Sequence, residues 1–442
     1  MHDELNKKLF GDNFAFGVSL SALQTEGAFD EDGKGLSIWD TFQKIKNKDN
    51  PKIACDFYNR YKEDIAIAAS LNITNFRFSL SWSRILPSGT GTVNQTGLDF
   101  YHRVIDACRE NNIEPWITLY HWDLPQVLED KGGWTNRAMI DWFSEYVSVC
   151  VRAFKDKVKY WMVLNEPMAF TGAGYFLGDH APGKKGLKNF LQAVHHTAMC
   201  QGAGYRMIKK EYQEAEVGST FSCSYFTPYS TSARDIQAVN RIDALLNRLF
   251  VETSLGLGYP FDDLPILKKI EKYFHAGDLE LMKADFDFIG IQNYTREAVK
   301  HTFYHPRLKA TLVPADKRKV YHTSMNWEVY PESIYEMIKK FSAYRGVKKI
   351  IVTENGAAFP DKVENGKIND EERIHYLSQY IQQVLRAKQE GYPVNGYFVW
   401  SLTDNFEWAE GYHPRFGLVY IDFKNQQRII KESGYWYKKL LE

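Results

Sequence analysis

Eight short apolar runs, each followed by a longer amphipathic stretch, constrain this chain more than any other feature. They are Phe14 to Ser19, Asn75 to Ser79, Glu114 to Leu119, Tyr160 to Leu164, Val217 to Ser222, Phe286 to Ile291, Lys349 to Val352 and Gly396 to Trp400. Most are continuous rather than alternating, as in parallel strands covered on both faces. Between them apolar residues recur at helical spacing. Asp56 to Ser70 sets Phe57, Tyr61, Ile65 and Ala68 on one stripe. Thr96 is placed to cap a helix that buries Leu98, Tyr101, Ile105 and Cys108. Thr135 opens another, with Met139, Phe143, Val147, Cys150 and Phe154, and Asp370 a third, through Ile374, Leu377, Ile381 and Leu385. Gly434 to Leu441 is left to close the ring.

Strand-then-helix units of this kind predict an α/β fold, a (β/α)8 TIM barrel with its active site at the C-terminal ends of the strands. An open doubly wound sheet would carry a Gly-rich phosphate loop after its first strand. Ser21-Ala22-Leu23-Gln24-Thr25-Glu26-Gly27 stands there instead. No linker, low-complexity tract or charge block divides the chain, so residues 1–442 read as one barrel domain.

Polar residues gather where the runs end: Asn165-Glu166 after the fourth, Asn293-Tyr294 after the sixth, Glu354-Asn355 after the seventh. The fourth and seventh strands of such a ring lie well apart, so Glu166 and Glu354 can face each other across a pocket. Two carboxyl groups about 5–5.5 Å apart are the equipment for cleaving a glycosidic bond with retention. Taken singly, Asn-Glu-Pro reads as a solvated loop, and only the two glutamates together point to chemistry.

Composition narrows the partners. Basic and acidic side chains balance at 55 each, so no net field draws the chain to nucleic acid or anionic lipid. Met1 to Lys8 lacks the apolar core of a secretion leader, and no run is long enough to span a membrane. The five cysteines show no paired spacing and read as reduced, buried thiols of a cytoplasmic protein. His195 and His196 are adjacent on a helical stretch and point apart. His301, His305 and His322 lie in a polar stretch without cysteine partners. No metal and no cofactor are expected. Lys300 to Lys319 mixes basic, acidic and apolar residues and reads as a solvated loop over the pocket mouth. Aromatics make up 15% of residues, and each reads either as core or as a platform for a sugar ring.

The longer motifs carry a resemblance. In order, they are Phe14-Ala15-Phe16-Gly17-Val18-Ser19, Gln24-Thr25-Glu26-Gly27-Ala28, Phe76-Arg77-Phe78-Ser79-Leu80-Ser81-Trp82-Ser83-Arg84-Ile85, Tyr120-His121-Trp122-Asp123-Leu124-Pro125, Trp400-Ser401-Leu402-Thr403-Asp404-Asn405-Phe406-Glu407-Trp408 and Arg415-Phe416-Gly417-Leu418. With the two glutamate motifs they span nearly the whole chain, which resembles glycoside hydrolase family 1, the β-glucosidase family. The resemblance implies a cofactor-free retaining β-glycosidase acting on a small β-glycoside or oligosaccharide. Glu166 would be the general acid/base and Glu354 the nucleophile, with Arg77 and Tyr294 contacting Glu354 and Asn165 donating to the sugar 2-hydroxyl. Gln24, His121, Trp122, Glu407 and Trp408 would bind the sugar hydroxyls. Trp400 would lie beneath the ring, Trp327 on the leaving-group side and Phe416 near the 6-position. The competing readings are a buried structural ion pair for Arg77, a satisfied core histidine for His121 taken without its flanking motif, and plain packing for Phe416.

Departures mark this chain. The family's Asn-Tyr-Tyr after the sixth strand is Gln292-Asn293-Tyr294 here, which leaves the role of Asn293 open. Glu407-Trp408-Ala409-Glu410 lacks the Ser and Lys of the phospho-glycosidase branch, and the acid/base position is Glu, not the Gln of the plant thioglucosidases. A transglycosidase and a non-catalytic sugar-binding relative stay open as alternatives. So do the oligomeric state, a homo-oligomer included, and the leaving-group preference.

Overall fold

The computed structural model describes residues 5–442; Met1 to Glu4, the start of the segment read for a leader, lie outside the described residues. The eight expected strands form one ring. They are β1 (Ala15–Ser19), β2 (Asn75–Ser79), β3 (Glu114–Tyr120), β4 (Tyr160–Asn165), β5 (Glu216–Ser222), β6 (Phe288–Gln292), β7 (Ile350–Asn355) and β8 (Val394–Trp400). Neighbours pair in parallel, and β8 pairs back onto β1 from Ala15↔Gly396 to Ser19↔Trp400, which closes the barrel. Between β4 and β7 stand β5 and β6, so the two glutamate strands are well separated.

Helices cover the outside. The stripe of Phe57, Tyr61, Ile65 and Ala68 is buried on Phe57–Ser70, and Cys108 and Cys150 are buried within theirs. All five cysteines are buried and unpaired. Helix starts depart from expectation. The second helix runs Gln95–Glu110 with Asn94 at its flank, so Thr96 lies inside the first turn. Thr135 ends a short turn, Gly133–Thr135, and its hydroxyl donates back to the Gly132 carbonyl; the helix starts later, at Met139. The last helix, Glu432–Leu440, does not close the ring, which strand pairing completes. It packs outside, with the Tyr437 hydroxyl donating to the Gly17 carbonyl.

The barrel interior is filled at one level and polar above it. Trp116 on β3 meets Phe398 on β8 at 5.1 Å and Phe288 on β6 at 5.8 Å. Those strands are not neighbours, so the rings touch across the interior, joined there by Met162 and Ile351. Strand periodicity of two then sets Thr118 and Trp400 inward one step nearer the C-terminal ends, and Gln292 two steps nearer. This apolar plug makes the floor on which the polar layer rests.

Lys300 to Lys319 is largely exposed, as expected, but it is not only a loop. It enters a three-stranded sheet of Tyr225–Pro228, Arg296–Lys300 and Thr311–Val313, with a small core of Phe226, Ala238, Ile242, Val299 and Ala310. Arg318 pairs with Glu328 at 2.5 Å, so part of its charge is satisfied internally. The tip at Phe303 and Tyr304 is open to solvent. His195 bonds Tyr259 and Asp278, and His196 bonds the Trp134 carbonyl, so both serve the fold. Among the described residues, no helix is long and apolar enough to cross a membrane.

Candidate active site

Both glutamate strands lose regular register just before their glutamates. β4 slips against β5 between Met162 and Asn165; β7 slips against β6 between Val352 and Glu354. Such bulges re-aim side chains at barrel rims. Glu166 follows in a left-handed backbone, φ 45°, an uncommon conformation for a residue with a side chain. Its amide is anchored to the Thr220 carbonyl at 2.9 Å, and Pro167 starts a short helix. Trp122 and Trp408 also have positive φ, the local strain that collects at working sites. Gly356 closes the second motif because a Cβ there would stand 1.8 Å from the Trp400 carbonyl oxygen.

A cavity of about 450 Å³ opens above the plug. Of the residues singled out from sequence, Gln24, His121, Trp122, Glu166, Tyr294, Trp327, Glu354, Trp400, Glu407, Trp408 and Phe416 line it. Arg77 and Asn165 lie fully buried and act from behind the wall. Arg77 reaches across from β2 to give Glu354 Oε1 a bond of 2.5 Å, Asn165 Oδ1 one of 2.6 Å and Thr118 Oγ1 one of 3.0 Å. The Tyr294 hydroxyl donates to Glu354 Oε2 at 2.7 Å. Each oxygen of Glu354 is therefore held by a donor. The carboxyl of Glu166 has no hydrogen bond among the described residues.

Burial pushes Glu166 well above the usual carboxylate range; the charges of Glu354 and Glu407 add to that, against Arg77. Burial raises Glu354 too, but the Arg77 charge and the bonds from Arg77 and Tyr294 all oppose it. The opposition acts on Glu354, so the proton of the pair rests on Glu166. The pocket thus presents a proton donor and a carboxylate from separate strands.

Asn165 is more tightly held than a free donor. Its Oδ1 accepts from Arg77, from Thr220 Oγ1 at 2.9 Å and from Gln292 Nε2 at 2.7 Å. Its amide nitrogen therefore faces His121 Nε2, at 2.9 Å. That ring nitrogen must accept, which assigns the imidazole proton to Nδ1. Burial, with the Arg77 charge, lowers His121 well below its usual range and keeps it neutral.

On the cavity wall that follows β1 and β8, Gln24 Nε2 lies 3.5 Å from Glu407 Oε2 and donates to the Phe406 carbonyl at 2.9 Å. Burial first, then the Glu354 charge, lifts Glu407 to about 8, against bonds from Trp400 and Gln24. Phe416 packs with Tyr294 and Trp327, at centroid distances of 6.2 and 6.0 Å, and also lines the cavity.

Gln292 was not singled out by sequence. It lines the cavity, orients Asn165, and its Oε1 has no partner among the described residues. The signal was the inward period of two running Phe288, Gly290, Gln292. Asn293, whose role was open, is a brace: it donates to the Cys223 carbonyl at 3.0 Å and accepts from Ser333 Oγ at 2.7 Å. The outer wall, with Met168, Leu177, His180 and Glu297, also went unnoticed.

Comparison with known proteins identifies the family. Residues 6–442 match the family described as Glycosyl hydrolase family 1. The 1,4-beta-D-glucan glucohydrolase of Thermotoga neapolitana is 43% identical over 441 residues, covering 98% of each chain. Beta-glucosidase A of Thermotoga maritima is 42% identical over 444 residues, 99% of each. The solved structure of beta-glucosidase from Thermotoga maritima in complex with glucoimidazole superposes with a TM-score of 0.94 at 42% identity, covering 98% of this chain and 99% of that one. A match that runs through every barrel strand, including both that end in a pocket glutamate, makes this chain a member of glycosyl hydrolase family 1.

Proposed function

We propose that the protein is a retaining β-glucosidase that removes terminal non-reducing β-D-glucosyl residues by double displacement. In the first step the Glu354 carboxylate attacks the anomeric carbon while Glu166 gives its proton to the bridging oxygen. The carbon–oxygen bond breaks, the leaving group departs as an alcohol, and a glycosyl ester remains on Glu354. In the second step Glu166, now ionised, takes a proton from water, whose oxygen attacks the same carbon and frees Glu354. Two inversions give net retention. Arg77 and Tyr294 keep Glu354 ready to attack, and Asn165 offers its free N–H to the 2-hydroxyl.

One observation carries this reading: two carboxyls face one cavity, one held at both oxygens and one held at neither. Gln24 and Glu407 would read the 4-hydroxyl region, where glucose and galactose differ. We therefore add side activity on β-galactosides and β-fucosides to the proposal. The relatives named beta-glucosidase and 1,4-beta-D-glucan glucohydrolase support the glucoside assignment. The free, buried thiols support a cytoplasmic setting.

The test is proton NMR of a 4-nitrophenyl β-glucoside digest. β-Glucose should appear first and then mutarotate. α-Glucose appearing first would overturn the retaining mechanism. No turnover across a panel of aryl glycosides would overturn the activity.

A further inference from the structure

The outer wall of the cavity carries a carboxyl that the two-step reaction does not use. Gln24, His121, Trp400 and Glu407 belong to the β1, β3 and β8 side of the ring. A proton donor must stand between the sugar and its leaving group. The leaving group therefore passes Glu166 toward the opposite side, which follows β5 and β6. There Tyr294-Thr295-Arg296-Glu297 enters the strand Arg296–Lys300. Strand alternation separates the neighbours. Arg296 turns away to pair with Glu328 at 2.5 Å, while Thr295 and Glu297 face the cavity.

Glu297 is half-buried, yet its carboxyl has no hydrogen bond among the described residues. Burial lifts it to about 7, with the Arg318 charge pulling down and Glu328 pushing up. A partly desolvated carboxyl without a bonded partner is unfavourable in the empty protein. It becomes favourable when a ligand brings donors. The same wall offers the Trp327 indole. A flat aromatic face beside a hydrogen-bond acceptor complements a pyranose, whose ring presents C–H groups on its faces and hydroxyls at its edge.

We infer that Glu297 is a specificity residue that selects substrates whose leaving group is itself a sugar, by accepting hydrogen bonds from that sugar's hydroxyls beside Trp327. This rests on the β-glucosidase reading of the pocket and adds the class of leaving group.

The experiment compares kcat/KM for cellobiose and for 4-nitrophenyl β-glucoside in the wild type, Glu297→Leu and Glu297→Gln. Both substrates place the same glucosyl group on Glu354, so their ratio isolates the leaving group. Losing a hydrogen bond to a charged acceptor should lower the cellobiose value about tenfold or more in Glu297→Leu and leave the aryl glucoside within about twofold. Glu297→Gln, which keeps an acceptor, should show a smaller loss of the same selectivity. Equal losses on both substrates would mean a merely structural residue, and no loss on cellobiose would mean no contact; either overturns the inference. If Glu297→Leu melts early, the ratio in Glu297→Gln decides. An inactive wild type would instead sink the β-glucosidase reading itself.

Discussion

Behind the segment from Trp400 to Phe416, the buried carboxylates Asp361, Asp370 and Asp404 are met by Lys431, Arg373 and Arg415. In the adjoining cavity, Glu166, Glu354 and Glu407 have Arg77 as the cation bonded among them. In the first region Lys431 bonds Asp361, and Asp404 at 2.7 Å; Arg415 bonds Asp404 at 2.9 Å; Arg373 bonds Asp370, and Asp361 at 3.2 Å. Burial alone would raise Asp404, yet Lys431, Arg415 and Arg373 hold it below the usual carboxylate range. In the cavity the same burial has too little opposition, and Glu166 and Glu407 rise. Burial does not decide the sign of a carboxyl's shift; the balance of cations does. A shortage of cations favours a proton on Glu166, and a full complement makes a brace. The brace serves the cavity: Asp404 accepts from the Gly417 amide at 2.9 Å, and Arg373 donates to the Ala357 carbonyl at 3.2 Å. Those bonds fix the backbone beside Phe416 and Gly356.

The sharpest way to break the contrast is to remove the one cavity carboxylate that does have a cation. Glu354→Gly should lower kcat more than about 10⁴-fold, since no nucleophile is left to form the ester. Azide should then restore turnover and give a product of inverted configuration, read by NMR. A rescued product of retained configuration would exchange the roles of the two glutamates.

Removing the unopposed member should cost less and depend on the leaving group. Glu166→Gln should spare kcat/KM for substrates with good leaving groups and lower it about 10²–10⁴-fold for poor ones. The raised Glu166 must be protonated in the free enzyme. The wild type therefore loses activity as pH rises through that raised value, and the variant should lack this alkaline limb. A uniform loss with every leaving group would show that Glu166 is not the donor.

The barrel was legible because its strands are buried on both faces and read as unbroken apolar runs. Glu166 and Glu354 were legible because each stands where such a run stops. Helix starts were not, since a threonine can cap a helix or tie back a turn, as Thr135 does. Gln292 read only as a departure from the family motif, because one amide at the end of an apolar run carries no signal until its partner Asn165 is seen across the ring. The ion-pair brace escaped for the same reason: Lys431, Asp361 and Asp404 are far apart in sequence, and only folding joins them. In the Lys300 to Lys319 stretch the charges are solvated as read, at Lys300, Arg307, Lys309, Lys317 and Lys319; the strand Thr311–Val313 and the pairing of Arg318 with Glu328 carried no sequence signal.

The brace can be broken directly. Lys431→Met leaves Asp361 and Asp404 without their shared, fully buried cation, and should destabilise the protein by about 3–5 kcal/mol in urea titration. Loss below about 1 kcal/mol would show that Arg373 and Arg415 suffice.

The smallest effect sharpens the comparison from the other side. Glu407 is raised from 4.5 to about 8, so the folded protein favours its protonated form. Its contribution to stability is full below about 4.5 and is lost as pH rises through about 8. Glu407→Gln keeps the shape and removes the charge. The variant should therefore lose less stability than the wild type between those two pH values, while KM for the glucoside rises because the sugar loses a carboxyl partner. Lys431→Met must behave oppositely and destabilise where its carboxylate partners are ionised. Parallel stability–pH curves for wild type and Glu407→Gln would mean that the cavity charge is compensated after all, and that the shortage of cations does not set the protonation of this site.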